Sequence, residues 1–426
     1  MIVLSIITQM RSNMNYEEIV DFVKNQKGFH DIEYLKSILS IFNFKINPER
    51  VIVVAGTNGK GTTSATISTL LIESGENVGF FSSPHLKKIN ERIKFNNVDI
   101  SDEDFCEAFA WVKAKVGTAS MSPFEWLTFM AAYYFFEKKK VDYAVFEVGL
   151  GGTYDSTNII PHKFCVITKI AFDHQHVLGN SLIDIAKNKL GIVSRNSIVF
   201  HTAFDLEIDE LSKEYVNKYD VKFFKACDFS MEVEREPSHK YPQFFVKTRF
   251  GKFKMTLPGK RAAENTALAL TAFDYIFGNA NKYGHAIEKV NWPGRMQLIK
   301  YKGREVFLSG DHNPNGVQSL LEVLQYYHYT KIHFVIGICR TKDYTKMLKM
   351  FFDVPNAYIY LTETAEKVLL INEYDCESLA KAKYVTANQK EALDVAVTNA
   401  SDDDLVIVTG SLYLIGKILS FFTNNS

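Results

Sequence analysis

The chain has 426 residues, 46% hydrophobic and 23% charged, which are the proportions of an ordinary globular protein with two or three domains. Lysine plus arginine and aspartate plus glutamate each number 49, so the formal net charge is zero and bulk charge indicates no polyanionic partner such as nucleic acid. The five cysteines include no C-x-x-C pair, which argues against a disulfide framework or a structural zinc site and fits the cytoplasm.

The first part of the chain predicts a strand, a glycine-rich turn and a helix. Residues 1–10 are apolar but too few to cross a bilayer, and no later stretch approaches about 18 consecutive apolar residues, so we expect no membrane segment. Helical spacing of apolar residues predicts a helix over 31–42. A β-branched strand over 51–54 then enters the turn Gly56–Thr62, and a helix follows over 64–71.

This order of elements is the setting in which backbone N–H groups and a helix N-terminus bind phosphates. Lys60 is expected to reach the β- and γ-phosphate oxygens, and the Thr62 hydroxyl to ligate the Mg²⁺ that accompanies ATP. Val54 stands where the strict P-loop pattern has its first glycine. The motif alone therefore predicts a nucleotide site, with a plain tight turn as the alternative.

Strands and helices continue to alternate up to residue 292. A capping box at Ser122 and Glu125 starts an aromatic-rich helix that ends in a solvated lysine run at 138–140. Glu147 follows a buried strand, and a carboxylate at that end of a strand faces the crevice where α/β proteins bind ligands. The remaining predictions are strands over 78–81, 90–95, 142–146, 164–170 and 196–200 and helices over 181–189 and 264–277. The pattern also alternates over 223–257, and within it residues 244–257 predict an antiparallel hairpin that turns near Gly251.

A turn at Pro293–Gly294 separates this region from a second alternation of strands and helices. The predicted strands there are 306–308, 332–336, 358–361 and 405–409, and the predicted helices are 317–327 and 344–351. We therefore expect an α/β protein with two domains. Residues 1–292 form a P-loop parallel-sheet domain with a small antiparallel hairpin region, and residues 293–426 form a smaller Rossmann-like α/β domain.

Several segments, in this order and spacing, carry a resemblance to a known family: VAGTNGKGT, FFSSPHL with NERI, SPFEWLTFMAAYYFF, FEVGLGG with DSTN, DHQHVLGNSLIDIAKNKLGIV, NWPGR, HNP, TKD and GSLYLIG. Over nearly its whole length the chain resembles the folylpolyglutamate synthase/dihydrofolate synthase family of the Mur ligase superfamily. The resemblance implies an ATP-dependent ligase that joins glutamate to the carboxylate of dihydropteroate or folate through an acyl phosphate. It also implies a cytoplasmic monomer with small-molecule substrates.

The resemblance further implies roles for individual residues. Those implied for the nucleotide are Thr57, Asn58, Gly59, Lys60, Gly61, Thr62, Asn265, Arg295 and His312. Two Mg²⁺ sites are implied, with protein ligands Thr62, Ser83, Glu147 and His174. Catalysis is assigned to Lys60, Glu147, His174 and Lys189, the last of which is carbamylated in many members. The substrate residues implied are Phe124, Lys342 and Asp343.

The chain departs from the family pattern at four places. Thr153 stands where an arginine is usual, and Asn188 where a glutamate is usual. Two residues near the nucleotide, usually His and Gln, are Arg261 and Ala262. The usual DGAHNP begins with Ser309 and has an aspartate two residues later, at Asp311; strand alternation would keep both on similar sides.

Three hypotheses follow from these observations. The first is a glutamate ligase acting on dihydropteroate, reduced folate or both. The second is a Mur-type amide ligase with a different acceptor. The third is a non-catalytic nucleotide-binding homologue, which the departures motivate. An oxidoreductase is disfavoured because the turn reads GKGT rather than G-x-G-x-x-G.

Overall fold

The structure is a computed structural model that describes residues 14–236 and 238–423. The apolar stretch at residues 1–10 lies outside them. Among the described residues, none of the helices has the length and apolar character needed to cross a membrane. The chain divides into two compact units: the first holds residues 14–230, 247–253 and 264–290, and the second holds 231–246, 254–263 and 291 onward.

The first unit contains an eight-stranded sheet with the order β4-β3-β2-β5-β1-β6-β7-β8. Its strands are β1 (Val51–Ala55), β2 (Val78–Phe81), β3 (Ile93–Phe95), β4 (Val98–Asp99), β5 (Tyr143–Glu147), β6 (Phe164–Ile167), β7 (Ile198–His201) and β8 (Lys222–Lys225). Pairing is parallel from β2 across to β8, whereas β3 and β4 join antiparallel at one edge. Both faces of the central strands are buried, which explains their unbroken apolar sequences.

Helices cover this sheet: α1 (Tyr16–Lys24), α2 (Ile32–Phe42), α3 (Lys60–Glu73), α4 (Asp102–Val116), α5 (Pro123–Ala132), α6 (Gln175–Leu178), α7 (Leu182–Lys189) and α8 (Leu206–Tyr219). Helix α5 begins with the predicted capping box, in which Ser122 Oγ accepts from the Glu125 N–H. Its aromatic side chains are core, since Trp126 and Phe129 are buried. Helices α1, α4 and α8 were not predicted.

Three further strands, β9 (Phe229–Glu234), β10 (Gln243–Thr248) and β11 (Gly251–Met255), form a small sheet in the order β11-β10-β9. Helices α9 (Lys260–Ile276) and α10 (Ala280–Tyr283) follow. The predicted hairpin at residue 251 is present as β10 and β11. Residues 222–225, at the start of the alternating stretch, form β8 and pair with β7 in the large sheet.

The second unit contains a six-stranded sheet with the order β12-β13-β17-β14-β15-β16. Its strands are β12 (Gln297–Tyr301), β13 (Arg304–Ser309), β14 (Ile332–Ile336), β15 (Ala357–Leu361), β16 (Tyr384–Val385) and β17 (Leu405–Thr409). Only β12 and β13 pair antiparallel; the other neighbours are parallel. The helices are α11 (Pro314–Leu324), α12 (Tyr344–Phe352), α13 (Cys376–Lys381), α14 (Gln389–Asn399) and α15 (Leu412–Thr423).

The expected α/β fold class is confirmed, with parallel sheets in both units. Two local predictions were wrong. The strand expected over 164–170 ends at Ile167, where the chain leaves the sheet toward the candidate site. The lysine run at 138–140 is not simply solvated, because Lys138 Nζ lies 2.7 Å from Asp104 and 2.8 Å from Glu107. The domain boundary at residue 292 stays a prediction.

Close packing of β2 yields a test of the core. A Cβ added to Gly79 would lie 2.5 Å from Cγ of the buried Phe135 ring. We expect Gly79→Ala to lower the free energy of unfolding by about 1–3 kcal/mol through overpacking. The free energy of unfolding is measured by urea denaturation of Gly79→Ala, of Phe135→Leu and of the double variant. If the double variant loses as much free energy of unfolding as the two single variants together, the Phe135 ring is not what excludes the added methyl group.

Candidate active site

The phosphate-loop candidate joins β1 to α3 by the residues Gly56–Gly59. Gly59 has φ of 94°, a left-handed conformation that favours glycine, and it precedes α3 without a side-chain cap. Thr57 anchors the loop, since its backbone N–H donates to Lys169 O at 2.9 Å and its hydroxyl to Ala171 O at 3.0 Å. The first N–H groups of α3 are therefore left for a ligand rather than for a capping side chain.

Asn265 of α9 packs directly against this loop. A Cβ on Gly59 would lie 2.4 Å from Asn265 Nδ2, so no larger residue fits there. Asn265 is only 2% exposed, and its Oδ1 has no hydrogen-bond partner among the described residues. A buried amide oxygen without a partner is costly. The structure thus brings the predicted residues Gly59 and Asn265 together and leaves a polar atom there for a ligand to satisfy.

Two lysines from distant parts of the chain meet at one carbonyl oxygen. Lys60 Nζ lies 3.2 Å from Gly56 O, and Lys189 Nζ donates to the same oxygen at 2.8 Å. Lys189 is 3% exposed. Its burial, together with the neighbouring Lys60 charge, lowers the pKa of the Lys189 amine to about 7. The amine is therefore substantially neutral near pH 7 and able to act as a nucleophile.

Glu147 ends β5 beside the strand that leads into the loop. It pairs in register with Val54 of β1 and is 4% exposed. The Ser83 N–H, at the end of β2, donates to Glu147 Oε2 at 3.2 Å. Thr62, in the first turn of α3, is also buried. The three residues supply the oxygen donors that Mg²⁺ prefers, and one carboxylate completed by phosphate oxygens is a usual Mg²⁺ site.

His174 lies at the start of α6 with a positive φ of 51°. Its backbone N–H donates to Asp173 Oδ1 at 2.9 Å, and its ring Nε2 lies 3.8 Å from the same oxygen. The ring is about one-third exposed. Within residues 14–236 and 238–423, no group of three or more His, Cys, Asp and Glu side chains is arranged as a metal site. A metal at His174 would therefore depend on other donors.

The loop after Glu147 is organised by Asp155, which the sequence did not single out. Its carboxylate accepts from the Leu150 N–H at 3.0 Å and from the Thr157 hydroxyl at 2.6 Å. Burial raises the pKa of Asp155 despite these hydrogen bonds. The predicted substrate residue Phe124 covers the same loop, since a Cβ on Gly149 would lie 2.7 Å from its Cζ.

Two exposed aromatic residues flank this loop and were also missed. Phe29 is 73% exposed and Tyr154 is 55% exposed, and their ring centroids lie 6.4 Å apart. The Phe29 segment is held by the next residue, because His30 Nδ1 lies 2.8 Å from the buried Glu125 carboxylate. Large exposed aromatic rings held in place in this way indicate a ligand surface. In the sequence, the available signal was an aromatic residue between polar or small neighbours, in Gly28-Phe29-His30 and in Thr153-Tyr154-Asp155.

In the second unit, Arg295 and His312 converge on one backbone oxygen. Arg295 Nη1 donates to Gly310 O at 2.9 Å, and His312 Nδ1 lies 2.9 Å from it. Ser309 Oγ donates to Asp311 Oδ2 at 2.7 Å, so the displaced aspartate and the serine do lie side by side. Both predicted nucleotide residues, one before β12 and one after β13, therefore come together at the Gly310 carbonyl.

The other predicted residues of the second unit have local structural contacts. Asp343 Oδ1 accepts from the Lys346 N–H and caps α12. The Lys342 N–H donates to Cys339 O at 3.0 Å in the preceding turn. Arg261, where the family pattern has a different residue, donates through Nη2 to Asn315 O at 3.0 Å. These contacts define positions, while the functions of the residues stay predictions.

Comparison with known proteins identifies the class. A model of the Mur ligase middle domain matches residues 54–273. A model of the Mur ligase, glutamate ligase domain, matches residues 294–412. A dihydrofolate synthase/folylpolyglutamate synthase from Bacillus subtilis is 30% identical over 388 residues, covering 87% of this chain and 89% of that protein.

Solved structures agree with this result. The apo form of L. casei FPGS is 25% identical, with a TM-score of 0.82, and the match covers 96% of this chain and 100% of that chain. A complex of FPGS with AMPPCP is also 25% identical, with a TM-score of 0.81 and the same coverage. The fold is thus that of a Mur ligase. This chain belongs to the folylpolyglutamate synthase/dihydrofolate synthase family, and the resemblance stated from its motifs is confirmed.

The buried Lys189 predicts a pH-dependent stability. Its folded-state pKa of about 7 lies below the ordinary value of 10.5, so the unfolded chain binds more protons between these values. We expect the stability of the parent, relative to Lys189→Met, to rise with pH across this window by up to about 1.4 kcal/mol per unit. Urea denaturation in bicarbonate-free buffer measures this difference. The exposed Lys187→Met is the control, and an equal pH slope in both variants would contradict the assignment.

Proposed function

We propose that this chain is an ATP-dependent ligase that joins the amino group of L-glutamate to the carboxylate of dihydropteroate, of tetrahydrofolate, or of both, releasing ADP and phosphate. The observation that carries the proposal is the loop at Gly56–Gly59 with Lys60 at the start of α3 and the unpartnered Asn265 oxygen beside it. We further propose that it works as a monomer in the cytoplasm.

Phosphate binding falls to the loop and to Lys60. The N–H groups at the start of α3 point along the helix axis, where an anion is favoured. When a polyphosphate enters, the Lys60 ammonium exchanges its contact with Gly56 O for phosphate oxygens. Asn265, Arg295 and His312 are the further nucleotide contacts that we propose. The packing of Asn265 against Gly59 and the contacts of Arg295 and His312 with Gly310 O support this role.

Glu147, Thr62 and Ser83 are the residues that would hold Mg²⁺, and His174 would ligate a second ion. A bound Mg²⁺ neutralises phosphate charge and so eases phosphoryl transfer. Glu147 is suited to this task because its carboxylate is buried at the end of β5, next to the strand that leads into the phosphate loop. Its carboxylate also accepts from the Ser83 N–H, which orients it.

The reaction needs an activated carboxylate, because a carboxylate anion is a poor electrophile. Transfer of the γ-phosphoryl group to an acceptor carboxylate oxygen releases ADP and forms an acyl phosphate. The glutamate nitrogen then attacks the acyl carbon, and collapse of the tetrahedral intermediate expels phosphate while the nitrogen loses a proton. Positioning and charge neutralisation by the loop supply the rate enhancement. We propose that Lys342 and Asp343 contribute to binding of the incoming glutamate.

Carbamylation of Lys189 fits its environment. The amine is buried and next to the Lys60 charge, and its pKa of about 7 leaves a large neutral fraction near pH 7. Reaction with CO₂ would convert it into an anion that is attracted to Lys60 and suited to metal binding. An unmodified, permanently charged lysine at this position would instead repel Lys60. This contrast supports the modification.

Acceptor recognition is proposed for the aromatic surface of Phe29, Tyr154 and Phe124. A pterin ring is flat and aromatic, and offset stacking suits it. The two exposed rings contact each other edge to face; Asp155 holds the loop that carries Tyr154, and Glu125 holds His30 next to Phe29. The departures from the family pattern at Arg261, Ser309 and Thr153 leave the proposed phosphate and metal residues in place. This favours an active enzyme over a non-catalytic homologue.

The decisive experiment is an acceptor panel. Purified protein with Mg²⁺, ATP and glutamate is given dihydropteroate, tetrahydrofolate or a non-folate Mur-type acceptor, and ADP release and product mass are measured. We expect a glutamylated pterin product, and we expect Lys60→Ala and Glu147→Gln to lower the rate about a hundredfold or more. The exposed Lys187→Ala is the control. Activity with only the non-folate acceptor would show a Mur-type ligase with a different acceptor. If no acceptor causes ADP release, the chain is a non-catalytic homologue.

The aromatic surface gives a separate test. We expect Tyr154→Ala and Phe29→Ala each to raise KM for the pterin acceptor about tenfold, because each removes one stacking contact, with KM for ATP unchanged. Steady-state kinetics with varied acceptor measure this. Tyr275→Ala, which alters another partly exposed tyrosine of the first unit, is the control. A rise in KM for ATP instead would assign the rings to the nucleotide.

A further inference from the structure

The loop after β5 is fastened to the end of α7 by a set of hydrogen bonds that we call the clasp, made by Thr153, Asn158 and Asn188. The Thr153 backbone N–H donates to Asn188 O at 2.9 Å, and its hydroxyl donates to the same oxygen at 3.0 Å. Asn158 Nδ2 donates to Thr153 O and to Gly191 O, each at 3.1 Å. One threonine and one asparagine thus join two segments more than thirty residues apart.

Glycines let these segments approach closely. A Cβ on Gly152 would lie 2.7 Å from both Asn188 O and Lys189 O. A Cβ on Gly191 would lie 1.9 Å from Thr153 Oγ1. The fit leaves no space for a side chain at either glycine, so a shift of one segment must be accompanied by a shift of the other.

The clasp acts on the backbone that carries Lys189. Asn188 O, the acceptor of both Thr153 bonds, belongs to the residue just before Lys189, and Gly191 lies two residues after it. From this backbone the Lys189 side chain reaches Gly56 O at 2.8 Å in a buried site. A flexible four-carbon side chain holds its amine at one point only if its backbone is held as well.

We propose that Thr153 and Asn158 are positioning residues that hold the end of α7 so that the Lys189 amine is carbamylated in place beside the phosphate loop. The inference rests on the proposed function. In the modification, the neutral amine nitrogen forms a bond to the carbon of CO₂, one C=O electron pair moves to oxygen, and the nitrogen loses one proton to water. The product is a carbamate anion, and no oxidant or reductant is required.

The neutrality of the clasp supports this assignment. Where the family pattern has an arginine, this chain has Thr153, whose hydroxyl donates to the backbone oxygen of Asn188. Because this contact is with a main-chain atom, it needs no charged partner. Thr153 is accordingly assigned to the end of α7, rather than to an anionic ligand that an arginine would bind.

The test compares Thr153→Val, which removes the hydroxyl donor, with Thr153→Ser, which keeps it. Each protein is incubated with ¹³C-bicarbonate, and the carbamate carbon is observed by NMR without nucleotide. We expect a weaker carbamate signal in Thr153→Val and a kcat lowered about tenfold to a hundredfold with KM for ATP unchanged, because a small displacement of a reacting group is costly. Thr153→Ser retains both.

Thr271→Val is the matched control, because Thr271 is a buried threonine whose hydroxyl donates to Ala267 O outside the clasp. It is expected to lose stability without loss of the carbamate. A carbamate signal and kcat in Thr153→Val equal to those of the parent would overturn the inference. If the parent shows no carbamate signal, carbamylation is refuted. The positioning role is then decided by comparing kcat of Thr153→Val with kcat of Thr153→Ser. No ADP release by the parent would refute the proposed function instead, and the NMR comparison would still decide the clasp.

Discussion

The candidate site depends on the meeting of two lysines at the Gly56 carbonyl. Like charges a few ångströms apart in a buried place repel each other, and one carbonyl dipole does not compensate two ammonium groups. The protein resolves this by keeping Lys189 buried with a lowered pKa while Lys60 lies at the more open loop. Incoming phosphate, or an anion formed on Lys189, relieves the same repulsion, so the site is preorganised for negative charge.

The sheet of the first unit explains why these groups meet. Neighbouring parallel strands end at one edge, so the loop after β1, the carboxylate that ends β5 and the residues after β6 come together although they are distant along the chain. Helix α7 then returns Lys189 to that edge. The arrangement requires buried strands with no polar interruption before their ends, and the sequences of β1 and β5 meet this requirement.

The departures from the family pattern differ in their structural meaning. The Thr153 hydroxyl donates to the backbone oxygen of Asn188, so the threonine has a structural contact of its own at this position. Ser309 and Asp311 are hydrogen-bonded, which keeps a carboxylate at this loop of the second unit. Arg261 contacts the first turn of α11 through Asn315 O. Ala262 is buried, and nothing in the structure explains why it replaces a glutamine.

The sequence by itself determined the fold class, the family and the glycine-rich turn between β1 and α3, because glycine spacing, buried β-branched runs and capping residues act locally along the chain. It also placed Glu147 at the end of a buried strand. Several features depended on contacts between distant segments: Asn265 against Gly59, the lysine pair at Gly56, the buried Asp155, the Phe29–Tyr154 surface and the clasp. Only the tertiary structure decided these, since burial, a shared hydrogen-bond acceptor and the resulting pKa arise when remote residues are packed together.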